Sequence, residues 1–179
     1  MVAHKSTTFL FLSLGGNSPL LTNSNKMEFD KNGNLHPYKV IETDLETFEQ
    51  MFVLNFPFSI TRKRIFENYL IYLENLKNIV DSSFYQWIDG SFVTNKRDPR
   101  DIDFVTFLDF EIYRKNEKEI SKLLNLRYDK ANATDGYFIE VFPDGHKNFN
   151  NFQMDKIEWL HTFGTSRTNQ NKGFIQLNF

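Results

Sequence analysis

The sequence predicts an α+β domain: a small mixed β-sheet flanked by helices. Three observations point there. Helix signals come first, and short aromatic or branched runs then alternate with further helical ones. The longest apolar periodicity, from Ile65 to Val80, repeats at three and four residues. Finally, no internal repeat and no linker divides the 179 residues, a length that suits one domain with its own core.

Taken in order, residues 29–38 hold a turn at Asn32-Gly33. Thr43-Asp44-Leu45-Glu46 reads as a capping box with Thr43 as the cap. It opens a short helix to about Leu54, stopped by Pro57. Ser59 or Thr61 caps the next helix, whose apolar face is Ile65, Tyr69, Tyr72, Leu73, Leu76 and Val80. Arg62, Lys63 and Arg64 at its start read as a solvated face. Phe84 to Ile88 is a strand by composition, ended by Asp89-Gly90-Ser91. After a polar loop at 94–100, Asp101 to Leu108 is a second strand and Asn116 to about Leu126 a helix. Tyr137 to Phe142 is a third strand, Met154 to Phe163 a last helix, and Lys172 to Phe179 a closing strand.

Residues 1–26 differ from the rest. The run from Thr7 to Leu14 is apolar with Lys5 before it, but it is short for a signal peptide and no convincing small-x-small cleavage site follows. The segment reads as a dispensable extension, with 27–179 as the domain. Hydrophobic residues at 40% and charged residues at 25% exclude a disordered chain. A net charge of −2 excludes a global basic field for nucleic acid. The absence of Cys removes disulfide scaffolds, thiol catalysis and Cys-based zinc sites, and fits a cytoplasmic setting. No apolar run is long enough to span a membrane.

The chemistry concentrates in Ile88-Asp89-Gly90-Ser91 and, nine residues on, Asp101-Ile102-Asp103-Phe104. On a strand, residues i and i+2 share a face, so Asp101 and Asp103 aim together, roughly 7 Å apart at the backbone. Ile102 and Phe104 point the other way. Two like charges on one face repel unless a cation sits between them. Such a pair suits two Mg²⁺ ions about 4 Å apart. Gly90 permits a tight turn after a strand, and backbone N–H groups there make a phosphate cradle. Together these are the parts for in-line attack on a nucleoside triphosphate.

Gly90-Ser91 followed by Asp101-Ile102-Asp103-Phe104 resembles the signature of the nucleotidyltransferase superfamily that includes DNA polymerase beta. Trp87 to Thr94, then Pro99 to Asp103, are similar to a small family of uncharacterised bacterial nucleotidyltransferase-like proteins. So are the stretch Phe29 to Pro37, the run Trp159-Leu160-His161-Thr162-Phe163, and the ending Arg167 with Lys172-Gly173-Phe174-Ile175. The resemblance implies a minimal nucleotidyltransferase fold with two Mg²⁺ ions. Asp101 and Asp103 would bind metal, and Gly90 and Ser91 would hold the triphosphate. Related minimal enzymes modify RNA or protein, some within toxin–antitoxin pairs. An inactive nucleotide- or partner-binding module, with a small protein partner, is the alternative.

The superfamily usually has a third carboxylate on a neighbouring strand. Asp135 and Glu140 compete, and being five apart they face opposite sides of a regular strand. Alternation does not decide between them, and the resemblance favours Asp135 as metal ligand and activator of the acceptor hydroxyl. Lys96, Arg97 and Arg100 lie between the Gly-Ser turn and the carboxylates, in reach of triphosphate oxygens. The resemblance adds Arg167 and Lys172 as residues that neutralise the leaving pyrophosphate. The four histidines share no metal-like spacing. Lys172-Gly173-Phe174 only partly imitates an RNA-recognition strand, since Ile175 stands where that motif wants Gly or Ala.

Overall fold

A computed structural model describes residues 26–179, so residues 1–25 of the N-terminal segment lie outside the described residues. The architecture is α+β, with a five-stranded mixed sheet between helical layers and a separate two-stranded ribbon.

The ribbon pairs β1 (Glu28–Phe29) with β2 (Leu35–His36) in antiparallel fashion around the Asn32-Gly33 turn. β3 (Val40–Thr43) leads into α1 (Leu45–Glu49), which continues as one π-helical turn over Gln50–Leu54. The cap of α1 is Asp44 rather than Thr43: its carboxylate accepts the Thr47 N–H at 2.6 Å. α2 (Arg62–Ile79) follows, and Ser59 Oγ accepts the Arg62 N–H at 3.2 Å. β4 (Tyr85–Asp89) ends in a 3₁₀ turn over Gly90–Val93. β5 (Ile102–Asp109) is joined to β6 (Thr134–Val141) through α3 (Phe110–Lys115), α4 (Glu117–Asn125) and a 3₁₀ turn at Leu126–Tyr128. The expected helix at 116–126 is α4, capped by Asn116, and a further short helix, α3, precedes it and ends at the same Asn116. α5 (Phe149–Gly164) and β7 (Phe174–Asn178) complete the chain.

The sheet order is β3-β7-β4-β5-β6. β3 runs parallel to β7 and β5 parallel to β6, while β4 is antiparallel to both of its neighbours. Strand alternation sorts side chains onto two faces. Ile102, Phe104 and Leu108 of β5 meet Ile65, Tyr69, Leu73 and Leu76 of α2 in the larger core. Val105 and Phe107 point the other way, with Trp87 and Ile139, toward Phe152 and Phe163 of α5. α2 buries every apolar position its periodicity marked. Burying one such side chain contributes roughly 1.5–3 kcal/mol, so these two faces dominate what holds the sheet.

Arg62 departs from the sequence expectation. It is not solvated but fully buried, at 0% exposure. Its guanidinium donates to the carbonyls of Phe52, Phe92, Thr94, Lys96 and Arg97 at 2.6–3.2 Å. It also lies 3.8 Å from the Phe56 ring centre. One side chain thus ties the π turn to the loop that joins Gly90-Ser91 to Asp101. Burial lowers its pKa to about 10, with Asp98 opposing the shift.

Candidate functional site

The odd-numbered residues at one end of the α5-covered face carry the carboxylates. Asp89 ends β4 and is the register partner of Asp103 on β5. Asp103 is in turn the register partner of Asp135 on β6. Neighbouring strands lie about 4.8 Å apart, so these three side chains form a row across the sheet. Asp101 stands two residues before Asp103, just ahead of β5.

The electrostatics show how tightly this row is drawn. Burial pushes the Asp103 carboxyl up to about 7; the charges of Asp101, Asp89 and Asp135 add to the rise and Lys172 opposes it. Asp135 is also raised by burial, with Arg127 pulling down and Asp101 pushing up. Asp89 rises to about 6, again from burial, against the Lys172 charge and its hydrogen bond.

The Gly90 turn is shaped around the same row. Gly90 has φ +76, and a Cβ there would lie 1.6 Å from Asp103 Oδ2. The position therefore requires glycine twice over, for the left-handed backbone and for the approach of the carboxylate. Ser91 is half-buried in the turn, and its carbonyl accepts the Thr94 hydroxyl at 2.8 Å.

Lys172 is buried, and its Nζ donates to Asp89 Oδ2 at 2.6 Å. Asp89 Oδ1 is buried with no hydrogen-bond partner. Gly173 holds the lysine's backbone in place. Its N–H donates to the Leu35 carbonyl at 2.7 Å, and a Cβ would lie 2.3 Å from the Pro37 carbonyl. Lys96 and Arg167 are exposed, Arg167 in the turn closed by the Thr165–Asn171 bridge. Glu140 sits on the opposite face of β6 from Asp135 and pairs with Arg114 at 2.9 Å.

Beyond Asp101 and Asp135 opens a cleft of about 600 Å³, lined also by Arg100, Arg127, Lys130 and Tyr137. Two members of this region escaped the sequence. Asp89 reads there as the end of a strand, although its parity with Trp87 is the signal that places it on the carboxylate face. Arg127 lies in a short 3₁₀ turn with no motif around it.

Among the described residues, no group of three or more Asp, Glu or His side chains is arranged as a ready metal cage. That does not conflict with Mg²⁺, which commonly takes one or two carboxylates and completes its octahedron with water and substrate phosphates. The crowded acidic row, with Asp103 raised to about 7 by burial and further by its acidic neighbours, is a donor set that such a cation would relieve.

Residues 27–178 match the model of a family of unknown function (DUF6932), and the chain belongs to that family. No curated protein and no solved structure matches it. Among the described residues, no helix is long and apolar enough to cross a membrane.

Proposed function

We propose that the chain is a Mg²⁺-dependent nucleotidyltransferase, moving a nucleotide from a nucleoside triphosphate to an acceptor hydroxyl on RNA, protein or a small molecule. The observation that carries the reading is the row itself. Asp103 and Asp135 are register partners, Asp101 stands beside them, and the backbone of Gly90 lies against Asp103.

Bound Mg²⁺ supplies charge neutralisation at the transferring phosphoryl group. Asp101, Asp103 and Asp135 would hold two such ions between them, one or two carboxylates to each, and the Gly90-Ser91 turn would seat the triphosphate. The acceptor oxygen bonds to the α-phosphorus, the bond to pyrophosphate breaks, and the acceptor proton passes to a carboxylate. Asp135, at the cleft end of the row, is the base nearest an acceptor entering there. Lys172 is buried and donates to Asp89, so its part in this reading is to offset the charge of the row rather than to touch the departing pyrophosphate. Lys96 and Arg167 are exposed cations for phosphate oxygens, while Arg97, also exposed, pairs with Asp98 at 2.7 Å and Arg100 lines the cleft.

The test is incubation with each labelled nucleoside triphosphate, Mg²⁺ and total cellular RNA or protein. Label transfer by the native chain and none by Asp101→Asn or Asp103→Asn supports the reading. Equal transfer by either variant sinks it. Triphosphate binding without transfer, tolerant of both substitutions, would instead mark a binding module, as in one half of a toxin–antitoxin pair.

A further inference from the structure

We infer that the cleft beyond Asp135 receives the 3′ end of a single-stranded nucleic acid. This rests on the transferase reading and names its acceptor. In-line transfer requires the acceptor to approach opposite the leaving pyrophosphate. With the triphosphate on the Gly90 turn beside β4, the open side of the carboxylate row is the β6 side, where the cleft lies.

The chemistry of the lining selects the acceptor. Arg100, Arg127 and Lys130 bring three positive charges to a cleft of about 600 Å³, within the range that holds ligands of nucleotide size, on the order of 300–1,000 Å³. A strand end presents its hydroxyl with a phosphate one nucleotide behind, so the hydroxyl reaches Asp135 while the phosphate meets these cations. A serine or tyrosine hydroxyl brings no such anion. Arg127 lies 4.3 Å from the Tyr137 ring centre, and Trp159 packs 5.0 Å from the same ring. Guanidinium and aromatic planes are the platforms on which unpaired bases stack.

The loop carrying Lys130 is held in place from α2. Arg64 Nη1 donates to the Ala131 carbonyl at 3.0 Å, and Asn68 Nδ2 to the carbonyls of Ala131 and Asn132 at 3.2 and 2.8 Å. The cleft's own carboxylates do not cancel the argument. Asp101 and Asp135 are groups that would hold the metal ions, and Asp129, the third carboxylate of the lining, has its Oδ1 turned to the Ala131 N–H at 2.9 Å. Cation binding at Asp101 and Asp135 therefore turns a balanced cleft into an anion-accepting one.

The experiment measures binding of a fluorescein-labelled 12-nucleotide RNA to the full chain by anisotropy, in Mg²⁺, across a salt series. The Arg100→Gln/Arg127→Gln/Lys130→Gln variant should bind at least about tenfold more weakly, with the log–log salt slope shallower by about 2, as three lost phosphate contacts require. A control with equal charge loss elsewhere, Lys77→Gln/Lys118→Gln/Lys147→Gln, should bind as the native chain does. Mg²⁺ should strengthen native binding. Equal loss in both triple variants, no loss in the first, or no RNA binding by the native chain would overturn the inference. Triphosphate binding, followed by calorimetry, separates the two readings. Its loss in Asp103→Asn with RNA binding intact concerns the transferase site alone, whereas RNA binding that fails while triphosphate binding persists rejects only the acceptor.

Discussion

Replacing Arg62 should be among the most damaging single changes in the chain. Its side chain donates to five backbone carbonyls and has no carboxylate bonded to it. Asp98 acts on it only through space, being engaged by the Ile60 N–H and the Ser59 hydroxyl. Arg62→Met preserves much of the volume and removes every donor. A hydrogen bond to a charged group is worth about 1.5–3 kcal/mol net, but these bonds share one side chain and cannot be summed. A buried acceptor left unsatisfied costs about 1–3 kcal/mol, and several carbonyls lose their donor at once, so a loss of about 3 kcal/mol or more is expected. Arg62→Lys offers three protons in a compact head and should recover less than half of that. Urea unfolding monitored by Trp fluorescence reads the change directly. A second consequence follows the chain: Phe92, Thr94, Lys96 and Arg97 lie just after Gly90-Ser91. A folded Arg62→Met protein should therefore bind triphosphate more weakly although residue 62 touches no carboxylate of the row. A loss under about 1 kcal/mol in Arg62→Met would show that water or rearrangement satisfies those carbonyls, and would refute the reasoning.

Three further outcomes follow. Gly90→Ala should lower the melting temperature and abolish Mg²⁺-triphosphate binding, because the added Cβ occupies the place of Asp103 Oδ2; calorimetry and thermal melts read both. Asp103 holds its proton more tightly folded than unfolded, so its contribution is present below about pH 4 and is lost as pH rises through about 7. Asp103→Asn should remove that fall, gaining up to about 4 kcal/mol above pH 7 in metal-free buffer, while Mg²⁺ raises the melting temperature of the native chain only. Finally, a chain beginning at Met27 should melt within about 3 °C of the full one, since the family match starts there; a larger drop would show that the Thr7–Leu14 run packs on the domain.

What the sequence made legible was what repeats. The apolar spacing of α2 located Ile65, Tyr69, Tyr72, Leu73, Leu76 and Val80 in the core because a helix face needs many residues and averages out exceptions. Strand parity likewise put Asp101 and Asp103 on one face and set Asp135 against Glu140 as opposites. What remained hidden depended on single long-range partners. Nothing near Arg62 in sequence announces five carbonyl acceptors, four of them 30–35 residues away. The β1–β2 ribbon is two residues deep on each side, too short for any periodicity. The cap at Asp44 displaced Thr43 because only its carboxylate accepts the Thr47 N–H. The pairing of Asp89 with Lys172 spans 83 positions.

The acidic row makes little sense as a folding device. β6 shows how the chain handles an ordinary strand carboxylate: Glu140 is half-buried and paired to Arg114 at 2.9 Å. At the other end of the same strand, Asp135 joins Asp101, Asp103 and Asp89, whose charges are answered from within the protein by Lys172 and by Arg127 near Asp135. Lys172 is spent on Asp89, whose second oxygen stays without a partner. Replacing such buried charges by apolar residues of similar volume is often neutral or stabilising. The fold instead holds Gly90 in a left-handed conformation so that Asp103 fits against it. A gathering of charge that raises the free energy of the native state, with a glycine shaped to admit it, is the arrangement expected where a divalent cation and a phosphate ester complete the balance.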